Sequence, residues 1–236
     1  MPTHASPPEA HRASWAGIPA EDRRAARRAR LLDTTFDLLG TEGWSATTVR
    51  GVCQAAQLNP RYFYESFADL DALFVAVYDR VVEQLTEAMT AAVEGAGPEP
   101  EVQTRAAIAA TVRFVDEDRR RGRVLYVEAL GNEALNRRRQ EAGFALIDVI
   151  DRDARRHGGL PPGESIGRIG AAILVGGFSE LLAGWLGGRI DVAPEQLVDD
   201  ATALFLALGH TAATIATARA RSSVGAGVRA GSDRRA

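Results

Sequence analysis

The sequence predicts an all-α fold, with an N-terminal three-helix head, a helical bundle behind it, and about nine helices in total. Three observations carry this. Apolar residues recur at helical spacing, no stretch sustains the period-2 alternation of a strand, and Gly/Pro-containing breakers interrupt the chain at intervals of roughly ten to thirty residues.

Residues 1–20 contain Pro, Ala and His without apolar periodicity and are expected to be a disordered arm. The head is expected over 21–68. Its first helix should run from about Asp22 to Glu42, with Ala29, Leu32, Phe36 and Leu39 on one stripe and Gly43 as a left-handed stop. Thr47 is expected to cap a second helix over about 48–56, where Val49, Val52, Cys53 and Ala56 fall at i, i+3, i+4 and i+7. Asn59 should cap a third, short helix with Pro60 in first position, where the missing N–H costs nothing. A linking helix over 69–93 carries Leu70, Leu73, Phe74, Val77, Val81 and Leu85 on one face. "EGAGPEPE" (94–101) then marks the boundary to a second domain over 94–218.

In that domain helices are expected over about 101–119, 121–130 and 132–157, the last capped by Asn132. "HGGLPPGES" (157–165) forbids continuation. A helix over 165–187 follows that is rich in Gly and Ala. Each interior Gly costs roughly 1 kcal/mol relative to Ala, so packing on several sides must hold it. The final helix, over 194–218, is expected to place Leu197, Leu204, Leu208 and Ile215 on one apolar face. Residues 219–236 are polar and Gly-rich, an expected disordered tail.

Of the 236 residues, 46% are hydrophobic and 25% charged, the balance of a soluble globular protein. The first twenty residues lack the apolar block of a signal peptide, and no apolar run approaches the ~20 residues of a membrane span. The expectation is therefore a cytoplasmic protein with no membrane partner. A single cysteine, Cys53, excludes an intramolecular disulfide and a cysteine-based zinc site, and the four histidines make no metal-ligand spacing. No nucleophile–His–carboxylate set or phosphate-cradling Gly loop is present, so neither an enzyme nor a cofactor is expected. Net charge is only −3, but all 28 basic residues are Arg, and residues 23–67 hold seven Arg against four acids. Such a run is either a solvated helix face or a contact for phosphates.

Two short helices over 48–67 joined by a tight turn are a helix-turn-helix, whose second helix enters the DNA major groove. From Arg28 to about Val81 the chain resembles the DNA-binding region of the TetR family of bacterial regulators. The matching pieces are "RLLDTTFDLLGTEGWSATTVRGV", "AAQLN", "FYESF" and "DLDALFVAVYDRV". "RRRGRVLYVEALGNEALNRRRQE" (119–141) resembles, more loosely, a segment of that family's C-terminal domain. The chain departs from the family pattern at Gln57, where a turn glycine is usual, and at Leu70, where relatives carry a phosphate-donating lysine.

Helical phase makes Phe63 and Phe67 core and turns Asn59, Arg61, Tyr62 and Ser66 outward. Arg61 is placed to give guanine two hydrogen bonds, and Tyr62 to meet a base edge or a phosphate. The resemblance implies phosphate contacts from Thr48 and Tyr64 and, in some relatives, base reading at Arg50. Tyr64 has packing as its alternative, and Arg50 an ion pair with a carboxylate. Arg23, Arg24, Arg27 and Arg28 can reach phosphates or the minor groove. Cys53 reads as a small buried hydrophobe.

For the second domain the resemblance implies a pocket for an unknown, largely apolar small-molecule effector. Phe114, Tyr126, Phe144, Phe178 and Trp185 are its candidate lining, with ordinary core as the alternative. The last two helices are the expected homodimer interface, through Ile173, Leu181, Leu204 and Leu208. The function implied is a ligand-responsive repressor that binds a palindromic double-stranded DNA operator. An activator of the same fold, or a helical ligand-binding or small enzyme domain without DNA binding, are the alternatives.

Overall fold

The computed structural model describes residues 19–157 and 164–232, and among these every regular element is helical. Counting the continuous helical stretch 119–131 as one, there are nine: α1 (Ala20–Thr41), α2 (Val49–Ala55), α3 (Pro60–Tyr64), α4 (Leu70–Gly95), α5 (Pro100–Glu117), α6 (119–131), α7 (Glu133–His157), α8 (Ile166–Leu186) and α9 (Pro194–Ser232). Of the arm expected over 1–20, residues 1–18 lie outside the described residues and Ala20 already opens α1, and most of the 157–165 break also lies outside them.

In the head, α1 buries Leu31, Leu32, Thr35 and Leu39. Ala29, expected in this stripe, is exposed, because the first turns of α1 run past the body and flank α3 with arginines instead. Gly43 ends α1 as expected, at φ +88°, and the amides of Glu42 and Gly43 both donate to the Leu38 carbonyl, at 2.8 and 3.1 Å. The cap of α2 moves one residue from its expected place. Thr48 accepts from the Gly51 amide at 3.1 Å, while the buried Thr47 hydroxyl donates to the Gly43 carbonyl at 2.8 Å. Asn59 caps α3 by accepting from the Arg61 amide, with Pro60 in the first turn. Asp69 caps α4, whose Leu73, Phe74, Val77, Tyr78 and Val81 form a continuous buried face.

Behind the head, α5 packs on α4 and α9, α7 packs on α4 and α8, and α8 packs on α9. α6 runs beneath α1. Its centre, Arg123–Glu128, is π-helical, a local widening that the apolar spacing of the sequence does not encode. This stretch fastens head to body. The Glu128 side chain, 8% exposed, accepts from the Trp44 amide at 2.9 Å and from Arg123 Nε at 2.8 Å. Arg123 donates in turn to the Thr41 carbonyl at 2.7 Å, and Arg120 bridges Asp37 and Asp118. Gly40 lets α1 approach this close, since a Cβ there would lie 2.4 Å from that of Arg120.

α8 divides its small residues between two sides: Gly167, Gly170, Ala171, Ala183 and Gly184 are buried near Leu182 and Trp185, while Ala172, Gly176 and Gly177 are exposed together with Ile169 and Ile173. α9 corrects the expected apolar face. Leu197 is buried, but Leu204 is 67% exposed and Leu208 half-buried, and the inward face is Val198, Ala201, Thr202, Ala212 and Ala216. The helix has two faces about 90° apart by helical phase, and the smaller side chains took the interior. By length and composition alone α8 and the Pro194–Ser222 part of α9 are apolar enough to cross a membrane, a property that core helices of soluble proteins share and that does not conflict with the expected absence of a membrane partner. α9 also continues through Ser232 rather than ending at 218, since no proline interrupts the chain after Pro194.

Glu128→Ala would strip a buried amide and a guanidinium of their acceptor. It is expected to cost about 2–3 kcal/mol in urea denaturation, with Glu128→Gln costing less.

Candidate nucleic-acid interface

The exposed edge of the head is built by residues whose neighbours are locked inward. Phe63 is fully buried and Phe67 nearly so, with ring centroids 6.0 Å apart; Val52, Cys53 and Ala56 meet them from α2. Cys53 sits there as the small hydrophobe expected, and burial pushes its thiol up. So anchored, a helix of only five residues presents a fixed outer surface.

On that surface the Arg61 side chain is 82% exposed and pairs with Glu65, whose Oε1 accepts from Nε at 3.1 Å. Tyr64 is 63% exposed, its ring edge-on to Phe63 at 5.2 Å. The placement of the two tyrosines differs from the expectation. Tyr62 is half-buried because the Arg27 guanidinium covers its ring at 4.4 Å, which leaves Tyr64 as the more open of the pair. Asn59 is exposed but spends its carbonyl on the helix cap, and Ser66 is half-buried. Thr48, the N-cap of α2, is exposed, and so is Arg50 two residues on in its first turn. Arg50 takes no part in the ion pairs of the head, which join Arg27 and Arg61 to Glu65 and Arg80 to Asp33. Its expected alternative, a carboxylate partner, is therefore not what the structure places there.

The arginines of α1 brace α3. Arg24 donates to the Glu65 carbonyl at 2.7 Å, Arg27 pairs with the Glu65 carboxylate at 3.6 Å, and Arg28 lies over the Phe67 ring at 5.0 Å. Glu65 thus gathers three arginines on one edge. The i,i+4 spacing from Arg61 was the only local signal for this role, and the sequence reading passed over it.

The turn between α2 and α3 is bent as a glycine would bend it. Gln57 has φ +53°, and its Oε1 accepts from Arg30 at 3.0 Å. Leu70, where relatives place lysine, is half-buried against the core.

In the body the five aromatics expected to line one pocket are spread over several places. Phe114 lies under Arg121, Trp185 lies under Arg119 with its Nε1 donating to Val192, and Phe178 stacks edge-on with Phe205 at 5.5 Å. Phe144 is 57% exposed, because it falls on the side of α7 opposite Ala142. Phe114 and Trp185 are buried in the core, the ordinary-core alternative, and Tyr126 is half-buried against it. Of the expected dimer residues, Ile173 and Leu204 are exposed, whereas Leu181 packs on the core.

Residues 31–77 match the family model described as bacterial regulatory proteins, tetR family. Over 93 residues the chain is 31% identical to the HTH-type transcriptional regulator BetI of Paraburkholderia phymatum, covering 39% of this chain and 47% of that relative, about half its length. Among solved structures, the fatty acid degradation regulator FadR from Bacillus halodurans superposes with a TM-score of 0.65 at 13% identity, over 76% of this chain and 94% of that one. FadR from Bacillus subtilis, in complex with stearoyl-CoA, does so with a TM-score of 0.64 at 14% identity, over 75% and 96%. A TetR-like regulator from Rhodococcus sp. RHA1 reaches 24% identity and a TM-score of 0.58, over 81% and 96%.

A non-glycine residue in the left-handed region costs about 1–2 kcal/mol. Part of that is returned as unfolded-chain entropy when glycine replaces it. Gln57→Gly is expected to raise stability by roughly 0.5 kcal/mol in urea denaturation, and the β-branched Gln57→Val to lower it by more than 1 kcal/mol.

Proposed function

We propose that this chain, whose residues 31–77 belong to the tetR family of bacterial regulatory proteins, is a ligand-responsive transcriptional regulator that binds a palindromic operator as a homodimer. The observation that carries the reading is the outer edge of α3. A five-residue helix whose interior is filled by Phe63 and Phe67 holds Arg61 and Tyr64 in solvent, with Arg50 and Thr48 beside them on α2. Nothing in the fold needs an arginine and a tyrosine so exposed, whereas a major groove does. Arg61 reads a guanine by two hydrogen bonds; Tyr64 and Thr48 contact phosphate, the latter where free amides at the N-terminus of α2 favour an anion. Asn59, Tyr62 and Ser66 flank the groove. Arg27 and Arg28 brace α3 and add sequence-independent attraction to the backbone.

Two heads must sit about 34–36 Å apart to read a palindrome, and so the chain must pair with itself. The outward face of Ile169 and Ile173 on α8 and of Leu204 and Ile215 on α9 supports α8 and α9 as the pairing surface, a four-helix bundle across a two-fold axis. Repression is the simplest output, with release when an effector binds preferentially to a state of different head spacing. The B. subtilis FadR structure carries stearoyl-CoA, which supports an effector with a substantial apolar part here. A regulator of this kind is neither an enzyme nor a membrane protein, and acts in the cytoplasm.

In a gel shift against the DNA flanking its own gene, Arg61→Ala is expected to weaken operator binding about tenfold or more and to leave random DNA nearly unchanged. Equal loss on both would remove the base-reading role. Ile173→Glu combined with Leu204→Glu is expected to convert a dimer to monomers by light scattering and to abolish operator binding. An unchanged dimer would move the interface elsewhere.

A further inference from the structure

Glu65 stands where neither its helix nor a DNA partner favours an acid. It is the C-cap of α3, the end at which a negative charge opposes the helix dipole. It also lies on the edge proposed above to face DNA, where phosphates repel a carboxylate. An exposed i,i+4 ion pair adds little to stability, so its contact with Arg61 is not explained by what it gives the fold.

The Glu65 side chain is instead fixed from behind. Its carbonyl accepts from Arg24 Nη2 at 2.7 Å, and its Oε2 lies 3.6 Å from Arg27 Nη2. Arg27 is held in turn, with its side chain 20% exposed and its guanidinium over the Tyr62 ring at 4.4 Å. The other carboxylate oxygen, Oε1, accepts from Arg61 Nε at 3.1 Å. Among the described residues the Arg61 guanidinium makes no other hydrogen bond, so both Nη groups stay free in solvent. An arginine gives guanine two hydrogen bonds either from Nη1 and Nη2 or from Nε and one Nη, and with Nε committed to Glu65 only the first pair remains.

We infer that Glu65 is the positioning residue for base reading: braced by Arg24 and Arg27 of α1, it takes the Arg61 Nε and so presents the two Nη groups to a single guanine. The inference deepens the DNA-binding reading proposed above and rests on it. Untethered, the long Arg61 side chain swings between the base edge and the phosphates, and phosphate contacts carry no sequence information. Glu65 makes a cation that would bind any DNA into one that binds at a guanine, and gives up some backbone attraction in doing so. Three arginines against one carboxylate keep the edge cationic all the same.

Selection of bound duplexes from a random library by the full chain supplies the probe. Replacing its guanines one at a time by 7-deazaguanine then removes the N7 acceptor while keeping the base pair. One replacement is expected to weaken wild-type binding about tenfold and Arg61→Ala binding hardly at all, which marks the guanine that Arg61 reads. At that guanine Glu65→Ala should lose most of the penalty, yet bind random duplex at least as tightly as wild type, since a negative charge has gone. Glu65→Gln, which keeps the shape of the side chain and an acceptor for Nε, should retain more of the penalty than Glu65→Ala. A full penalty in Glu65→Ala would overturn the inference, as would equal weakening of both variants on selected and random duplex, the result of a merely structural role. A selected sequence without an Arg61-dependent guanine would overturn this inference alone, whereas a library that yields no preferred sequence would overturn the regulator reading and this inference with it.

Discussion

The arrangement of this molecule depends on one buried carboxylate. Glu128 gives one oxygen to the Trp44 amide and the other to Arg123, and Arg123 passes on to the last carbonyl of α1. Without that acceptor the α1–α2 loop would carry a partly buried amide with no partner, and the head would be held to the body by Arg120 and α4 only in part. The close approach it needs is built into the backbone. A Cβ on Gly43 would strike the Glu128 carboxylate at 2.8 Å, and one on Gly131 would strike the Trp44 indole at 2.3 Å. Arg120, stacked on Phe36 and paired with Asp37 and Asp118, closes the seam on its other side.

The seam matters to function because of where Glu128 sits. It ends the π-helical stretch that carries Tyr126, so that half-buried phenol and the fastening of the head share one irregular stretch of helix. π-helical geometry stores a residue's worth of slack that an ordinary helix lacks, and a shift there changes what Glu128 can reach. α4 gives a second connection, with Tyr78 beside Arg139 and Phe74 one turn nearer the head.

Much of the head was legible because its signals are local. Asn59 before Pro60, the i,i+3,i+4,i+7 set ending at Ala56, and Gly43 after the last apolar residue of α1 each dictate geometry within a few residues, and each stands where expected. Gln57 was legible as a departure, and it has taken the glycine-like conformation at a cost in strain. What was hidden depends on partners far along the chain. Trp44 and Glu128 are 84 residues apart, and nothing in either neighbourhood announces the pairing. Phase misled the reading of α9, since Leu204 and Ile215 satisfy a helical stripe but the stripe faces outward while alanines pack within. Composition misled the pocket: five aromatics in one domain suggested one lining, yet three of them serve as platforms or partners elsewhere and Phe144 is on the surface.

The central claim, that a buried acceptor on α6 holds the DNA-binding head in a fixed relation to the body, is tested most directly by native-state hydrogen exchange at the Trp44 amide. Sealed under Glu128, that proton should exchange as slowly as the core amides of α1 around Leu39, through unfolding of the seam as a whole. Exchange at the rate of the open loop amides beside it would contradict the account.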